Sequence, residues 1–497
     1  MSNQLPSDYI SDNTRTLLSQ ASLESPDDYK CLVCIFLLGA ADSHNMVVPY
    51  GSTNPNRSLY DLARASGVRI ENEELENSLL STTPPWGLHP QLPGFYNEWQ
   101  NGNLAIIRDV GVLNRPTTKQ QYVDNTNGLY RPDRLFAHNI QQLTWQTALP
   151  FREAKVTGWF GRTSNLIDGF FNSDSRIGSG VLSVSGANPQ TFAYSPKVSV
   201  MYPALTISSG SNRGANNLMY IAGRDNFYHK DTPEMSPVGY PILPPNKIYN
   251  AFSKIFRNSV ISQNDVNTNG AGWDANDGGI GTQLEAIFTN AYQEIINTTV
   301  IVPNPVDPNS PYTRSLPNSY FLFRVKDIAK IIYSRGNLDG VGFNQRRQMI
   351  YSGVGGWDNH NNLRYHHDGL LRSLDICIKA LRDATILMGL GDKVTIFTES
   401  EFARTFRSNG TYGTDHAWSG HSFVLGGAVN GGMYGPEPDY TLGGSKDISN
   451  LGRFIPNYSI EQYYGTLLKW FDIPEGLIPL VLPSLPLFSP TDIGFMN

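Results

Sequence analysis

The run "KCLVCIFLLGAAD", residues 30–42, constrains the fold more than any other stretch of the chain. Every position from Cys31 to Leu38 is apolar, with no polar alternation. A strand made from it must therefore be covered on both faces, as the central strands of parallel sheets are. It ends in Gly39-Ala40-Ala41 and delivers Asp42 at its carboxyl end, the edge at which open α/β sheets bind ligands. A second such run, "NLAIIRDVG" (103–111), follows the amphipathic piece "LPGFYNEWQNG", which reads as a helix stopped at Gly102. Strand, helix, strand predicts an α/β fold.

The strand reading also bears on the cysteines. Only Cys31, Cys34 and Cys377 occur in 497 residues, which excludes a disulfide-rich scaffold. Cys31-x-x-Cys34 has the spacing of a redox motif, but such motifs open helices, whereas this pair lies inside the apolar run and is expected to pack in a core. A length of 497 residues with 40% hydrophobic content allows one elaborate domain or two. A net charge of −6 argues against nucleic acid or an anionic membrane as a main partner. No run of about 18 apolar residues predicts a membrane span. The start, "MSNQLPSDYISDNTRTLLSQ", has neither the basic opening nor the apolar core of a signal peptide, so residues 1–28 read as a polar extension.

Composition shifts in the middle of the chain. Residues 165–340 are rich in Asn, Ser, Gly and Tyr, with short β-like pieces ("GVLSVSG", "KVSVMYPALTIS") and an expected exposed loop at 267–281. This region reads as an inserted cap or elaboration on a domain that otherwise spans 29–497. Regular patterning returns with Leu370, Leu374, Cys377, Leu381, Ala384 and Met388, one face of a helix ended by Gly389 and Gly391. A strand at 393–398 then delivers Glu399 and Glu401, and "HSFVLGGAV" is a further strand.

Four short segments pool residues that ligate metals: "GAADSHN" with Asp42, "GGWDNH" with Asp358 and His360, "TESEFART" with Glu401 and Arg404, and "GTDHAWSGH" with His416 and His421. "RLFAHN" adds His138. Standing alone, an Asp-x-His in a loop is ordinary turn chemistry. Several such segments at strand ends make a candidate site for a divalent ion such as Zn²⁺, Mn²⁺ or Mg²⁺, one or two in number. The bland readings are an ion pair of Glu401 with Arg404 on one helical turn, a cap or turn role for Asp415, an exposed helix start for His366 and His367, and packing for Trp357 and Trp418.

The same segments carry a resemblance. "LVCIFLLGAADSHNMVVPY", "GLHPQLPGFYNEWQNGNLAIIRDVG", "GWFGR", "GGWDNH", "ESEFART", "GTDHAWSGHSFVLGGAVNGG" and "LPLFSPTDIGF" are similar, in order, to blocks of a bacterial family, domain of unknown function 1501. The likeness covers about 30–165 and 340–497. That family is grouped with the alkaline phosphatase and sulfatase superfamily. The resemblance implies a three-layer sandwich whose mostly parallel central sheet is flanked by helices, with a two-metal site at the carboxyl edge, in a periplasmic or extracellular protein; without it, the lack of a signal peptide would suggest the cytoplasm. Asp42 resembles the aspartate that ends the first strand and ligates one metal. Asp358 and His360 resemble the Asp/His pair of the other, and His416 the late metal-binding histidine. Glu401 stands where the superfamily has the aspartate of Asp-His-Gly.

The chain also departs from that pattern. Phe402 replaces the histidine of Asp-His-Gly, Ala403 replaces the usual glycine, and Ala137 stands before His138 where some members carry serine. No hydroxyl has motif support as the superfamily nucleophile; Ser43 and Thr414 are the nearby ones. The expectation is a metal-dependent hydrolase of small phosphate or sulfate esters, with Asp42, Asp358, His360 and His416 as ligands. Glu401 would be a further ligand or base, Arg404 an anion clamp, and His138 or His421 a substrate-positioning or proton-relay group. The alternative is a non-catalytic surface or assembly protein, homo-oligomeric or not, on the same fold.

Overall fold

The computed structural model describes residues 12–24, 28–150, 157–172, 278–317, 319–336 and 344–497, with short strand segments at 181–184, 193–195, 200–202, 205–208 and 220–222. Lys30–Leu38 forms β1, with only its two ends accessible to solvent. The other strands of its sheet are β2 (Leu104–Gly111), β3 (Val181–Ser183), β4 (Leu205–Ser208), β5 (Tyr220–Ala222), β6 (Arg347–Gly355), β7 (Val394–Glu399), β8 (Gly420–Leu425), β9 (Gly432–Tyr434) and β10 (Tyr458–Ser459). They lie in the order β5-β4-β3-β6-β1-β7-β8-β2-β9, with β10 also on β2. β1 pairs in parallel with β6 and β7, and β5 and β8 run against the rest.

Successive β1 side chains enter different cores. Val33, Ile35 and Leu37 join one cluster, and Leu32, Cys34 and Phe36 join the other. The first core is closed by α3 (Pro93–Gln100), α6 (Ile280–Asn297), α7 (Ser319–Tyr333) and α8 (Leu363–Leu387). The second is closed by α5 (Trp159–Phe171) and α9 (Ile460–Trp470), with Leu18 of α1 (Asp12–Glu24) at its margin. Each such burial stabilises by about 1.5–3 kcal/mol per large apolar side chain, which is why a run without alternation ends up in the middle of the sheet. Cys31 and Cys34 belong to opposite cores and are free, so they form no redox pair.

Within 165–340, β3 extends the main sheet from β6, and α6 and α7 pack on α8. The loop expected at 267–281 falls outside the described residues as far as 277, and from Ile280 the chain is helical. The helix is readable in retrospect: Leu284, Phe288, Ala291 and Ile295 are its buried face, at helical spacing. The glycines that precede it drew the reading toward a loop. No helix among the described residues is long and apolar enough to cross a membrane.

Candidate metal centre

The loops after β1, β6 and β7 and the loop entering β8 meet at one edge of the sheet, because β8 runs antiparallel and begins where the others end. Close approach depends on two glycines. A Cβ at Gly39, which has φ +117°, would lie 2.6 Å from Asp358 N, and one at Gly413 would lie 2.1 Å from the His360 carbonyl. Two further elements contribute: α4 (His138–Thr147), which starts on His138, and α2 (Pro55–Ala63), after which comes Arg64.

Three histidines converge here. His416 Nε2 lies 3.1 Å from His138 Nε2 and 3.0 Å from His360 Nε2. Asp358 Oδ1 lies 3.0 Å from His360 Nε2 and 3.3 Å from His416 Nε2, and Asp358 Oδ2 lies 3.5 Å from His138 Nε2. The other ring nitrogen of each histidine meets an acceptor. His138 Nδ1 is 2.7 Å from Glu401 Oε1, His360 Nδ1 is 3.0 Å from Asp415 Oδ1, and His416 Nδ1 is 2.9 Å from the Phe136 carbonyl. Each Nδ1 therefore carries a proton and donates, so that in the neutral imidazoles three Nε2 lone pairs face one another and a carboxylate. A single His416 lone pair cannot accept a proton from both neighbours at once. A cation shared by the four side chains would resolve the arrangement, and the separations are close to those between ligands spaced around an ion at about 2 Å.

The surroundings tune these groups. The hydrogen bond that His138 donates to Glu401 raises the pKa of His138 above its ordinary value. Burial, with Arg404 and His138 nearby, lowers that of His416. Burial alone would raise the Asp358 carboxyl, but the Arg404 hydrogen bond and charge hold it below the usual range. Glu401 Oε1 also accepts from Gly39 N and from Gln142 Nε2, each at 2.9 Å. Gln142 stands one turn along α4 from His138, so one helix face supplies two of the partners of Glu401.

Several sequence expectations are corrected. Asp42 does not join the cluster: its carboxylate, with no exposed surface, takes a fork from Arg64 (2.7 and 3.0 Å) and a bond from Thr414 Oγ1 (3.3 Å). A buried carboxylate needs that compensation, and Arg64 reaches it first. Arg404 is not an anion clamp. Its side chain has no exposed surface and is spent on Asp358 Oδ1 (2.7 Å) and the Thr414 carbonyl. His421 lies elsewhere, with its Nε2 3.0 Å from Tyr440 Oη and its Nδ1 accepting from Asp109 N. Glu401 faces His138 Nδ1, on the side away from the converging nitrogens. His138, read as a relay, is instead one of the converging imidazoles. Asp415 orients His360 rather than capping a turn. Ser43 Oγ accepts from His421 N and Ser43 is buried, as is Thr414. Trp357 and Trp418 are buried and bonded through Nε1 to backbone carbonyls. His367 is fully buried, not an exposed helix start.

The Phe402 ring packs on both His138 (centroids 4.8 Å apart) and His416 (4.7 Å). It fixes the two imidazoles by contact where a third ligand was expected. A second group, His89, His367 and Asp368, is compact and buried. Its chemistry differs: His89 Nδ1 accepts from Gln91 N, so Nε2 carries the proton and donates to Asp368 Oδ1 at 3.1 Å. Arg364 already holds both oxygens of Asp368. Asp368 is thus held in an ion pair and His89 has the wrong tautomer for a ligand, while neither ring nitrogen of His367 has a hydrogen-bond partner.

Beside the centre, His44 is buried among the rings of Phe406, His421, Tyr440 and Phe454, and neither ring nitrogen has a hydrogen-bond partner. Burial lowers its pKa to about 3 against the opposing charge of Asp42. The folded state therefore favours neutral His44. Its contribution is complete above the unfolded value near 6.5 and is lost as pH falls from there toward 3. His44→Phe keeps the ring and removes the titration. Urea unfolding at pH 7 and pH 4.5 should show the variant losing about 2–3 kcal/mol less than the parent over that interval. Equal losses would show that His44 does not titrate in this way.

A family model described as "Protein of unknown function (DUF1501)" matches residues 343–449. The match supports the resemblance over the segment that carries Asp358, His360, Glu401 and His416. No curated protein matches. Among solved structures, the chain is similar to one titled "Metabolism of multiple glycosaminoglycans by bacteroides thetaiotaomicron is orchestrated by a versatile core genetic locus (BT33494S-sulf)". The identity is 12%, over 38% of this chain and 41% of that one, at a TM-score of 0.21. A likeness that slight carries no weight for the chemistry.

Proposed function

We propose that His138, Asp358, His360 and His416 hold one divalent ion, and that the protein is a metal-dependent hydrolase of phosphate or sulfate esters on an alkaline phosphatase-like fold. The observation that carries the metal is the convergence of three Nε2 atoms whose Nδ1 partners are each bound to an acceptor. Three imidazoles and one carboxylate favour Zn²⁺ or Mn²⁺ over Mg²⁺. Such an ion lowers the pKa of bound water and polarises a phosphoryl or sulfuryl oxygen.

The residues present support direct attack by water rather than a covalent intermediate, because Ala137 and Phe402 stand where a nucleophile and a further ligand would be. Asp358 and His360 are open to a ligand, with side chains 46% and 44% exposed. Arg404, behind them, fixes the Asp358 carboxylate. Glu401, with the Gly39 amide and Gln142 on the same oxygen, fixes the His138 ring and raises its basicity.

Metal analysis of the purified protein, paired with nitrophenyl phosphate and nitrophenyl sulfate assays, tests this reading. About one Zn or Mn per chain with turnover of either ester is expected. Metal without turnover would favour a binding or structural role, to which the apolar Phe402 between two of the imidazoles is suited. Absence of metal after incubation with Zn²⁺ and Mn²⁺ would end the metal site and the hydrolase reading with it.

A further inference from the structure

The half-buried and buried arginines of this protein mostly meet carboxylates: Arg57 with Asp61, Arg347 with Asp472, Arg364 with Asp368, Arg372 with Asp375 and Arg382 with Glu98. Arg314 and Arg324 do not. Both line a cleft of about 460 Å³ together with His366, Tyr320, Gly355 and Gly356. Arg314 Nη1 bonds to the Tyr365 carbonyl and lies 3.1 Å from His366 Nδ1, and its guanidinium stacks on the Tyr365 ring at 4.5 Å. His366 Nδ1 thus accepts, and its Nε2 carries the proton. Arg324 Nη1 donates to the Gly353 carbonyl at 2.5 Å. Among the described residues, the remaining donors of both guanidiniums and of His366 Nε2 have no acceptor, and neither arginine has an acid partner.

Two guanidiniums that line one cleft without a counter-charge cost free energy to hold there. An oxyanion repays that cost through paired N–H···O bonds, which guanidinium geometry suits. The cleft also adjoins the proposed centre. Gly356 precedes Asp358 by two residues, which bounds their Cα separation at about 7.6 Å. The absence of side chains at Gly355 and Gly356 leaves that wall low.

We propose that this cleft is an oxyanion-binding subsite, which takes a second carboxylate, sulfate or phosphate group of the ester handled at the neighbouring centre. The anion binding stands by itself; its role as a substrate subsite rests on the hydrolase reading above.

The test is a titration of the full chain with sodium sulfate at ionic strength held constant with NaCl, read by isothermal calorimetry. The parent and Asp358→Ala proteins should both show saturable binding, because the subsite does not use the metal ligands. The Arg314→Gln/Arg324→Gln double variant should bind at least tenfold more weakly. Arg314→Gln alone, at a partly exposed position, should give an intermediate loss and guards against misfolding of the double variant. No saturable binding by the parent, or equal affinity in the Arg314 variants, would overturn the proposal. So would binding lost in Asp358→Ala and kept in the arginine variants, which would put the sulfate on the metal. If a nitrophenyl ester bearing a second sulfate is turned over, its KM should rise in the arginine variants with kcat unchanged. Sulfate binding as described with no turnover of any ester would retain the subsite and count against the hydrolase reading alone.

Discussion

An Asp358→Ala protein is expected to hold the proposed divalent ion a hundredfold or more less tightly than the parent. A structural zinc held by four protein ligands carries about 10–16 kcal/mol in all, so one ligand accounts for a loss on the order of 10²–10³ in affinity. Asp358 has a second task that complicates the variant: it is the acceptor for Arg404 Nη1 at 2.7 Å, and Arg404 has no exposed surface. Removing the carboxylate leaves that charge uncompensated and lowers stability as well. Asp358→Asn separates the two effects. It keeps an oxygen for Arg404 and should unfold closer to the parent, while its uncharged oxygen remains a poor ligand. Glu401→Gln provides a graded control, because it changes only the group behind His138; outer partners of this kind typically count for about 10–100-fold in affinity. Competition with a chromophoric chelator reads all three. The ordering parent, Glu401→Gln, Asp358→Asn, Asp358→Ala is the expected result. Unchanged affinity in Asp358→Ala would place the ion elsewhere.

Much of the sheet could be read from the chain because its central strands are apolar runs buried on both faces. β1, β2 and β7 follow from their apolar runs and α8 from its helical periodicity, and Asp358, His360 and His416 stand out as ligand types next to strand ends. The rest depended on partners that no local pattern reveals. Asp42 has the position of a ligand, but its fate is decided by Arg64, 22 residues away at the end of α2. His138 looked like a relay because its value as a ligand depends on Glu401, 263 residues away. The tautomer of His416 is set by a backbone carbonyl, that of Phe136, which has no sequence signature. α6 was hidden by the glycines before it, and the acceptors of Arg404, Asp358 and the Thr414 carbonyl, lie on other segments than its sequence neighbour Glu401.

Replacing Arg64 should produce the largest loss of stability of any single change proposed for this chain, about 3–5 kcal/mol for Arg64→Met. Arg64 and Asp42 both have side chains with no exposed surface. Losing the guanidinium leaves Asp42 with one long bond from Thr414 and the weak fields of His44 and His367. Burial alone would raise the Asp42 carboxyl, and the charge and hydrogen bonds of Arg64 instead bring it down to about 2. The sign follows from that depression. The pair's contribution is complete above the unfolded carboxyl value near 3.9 and is lost as pH falls from there through 2. In Arg64→Met the shift should reverse, so that the variant gains stability relative to the parent on acidification while remaining weaker at pH 7. Asp42→Asn distinguishes this account from the ligand role that sequence position suggests. A ligand change would cost metal and leave the fold largely intact. A change to a buried ion pair would cost the fold several kcal/mol in chemical denaturation, while metal affinity in the folded protein would stay within a few fold of the parent. The second pattern is expected, because Arg64 already occupies both Asp42 oxygens.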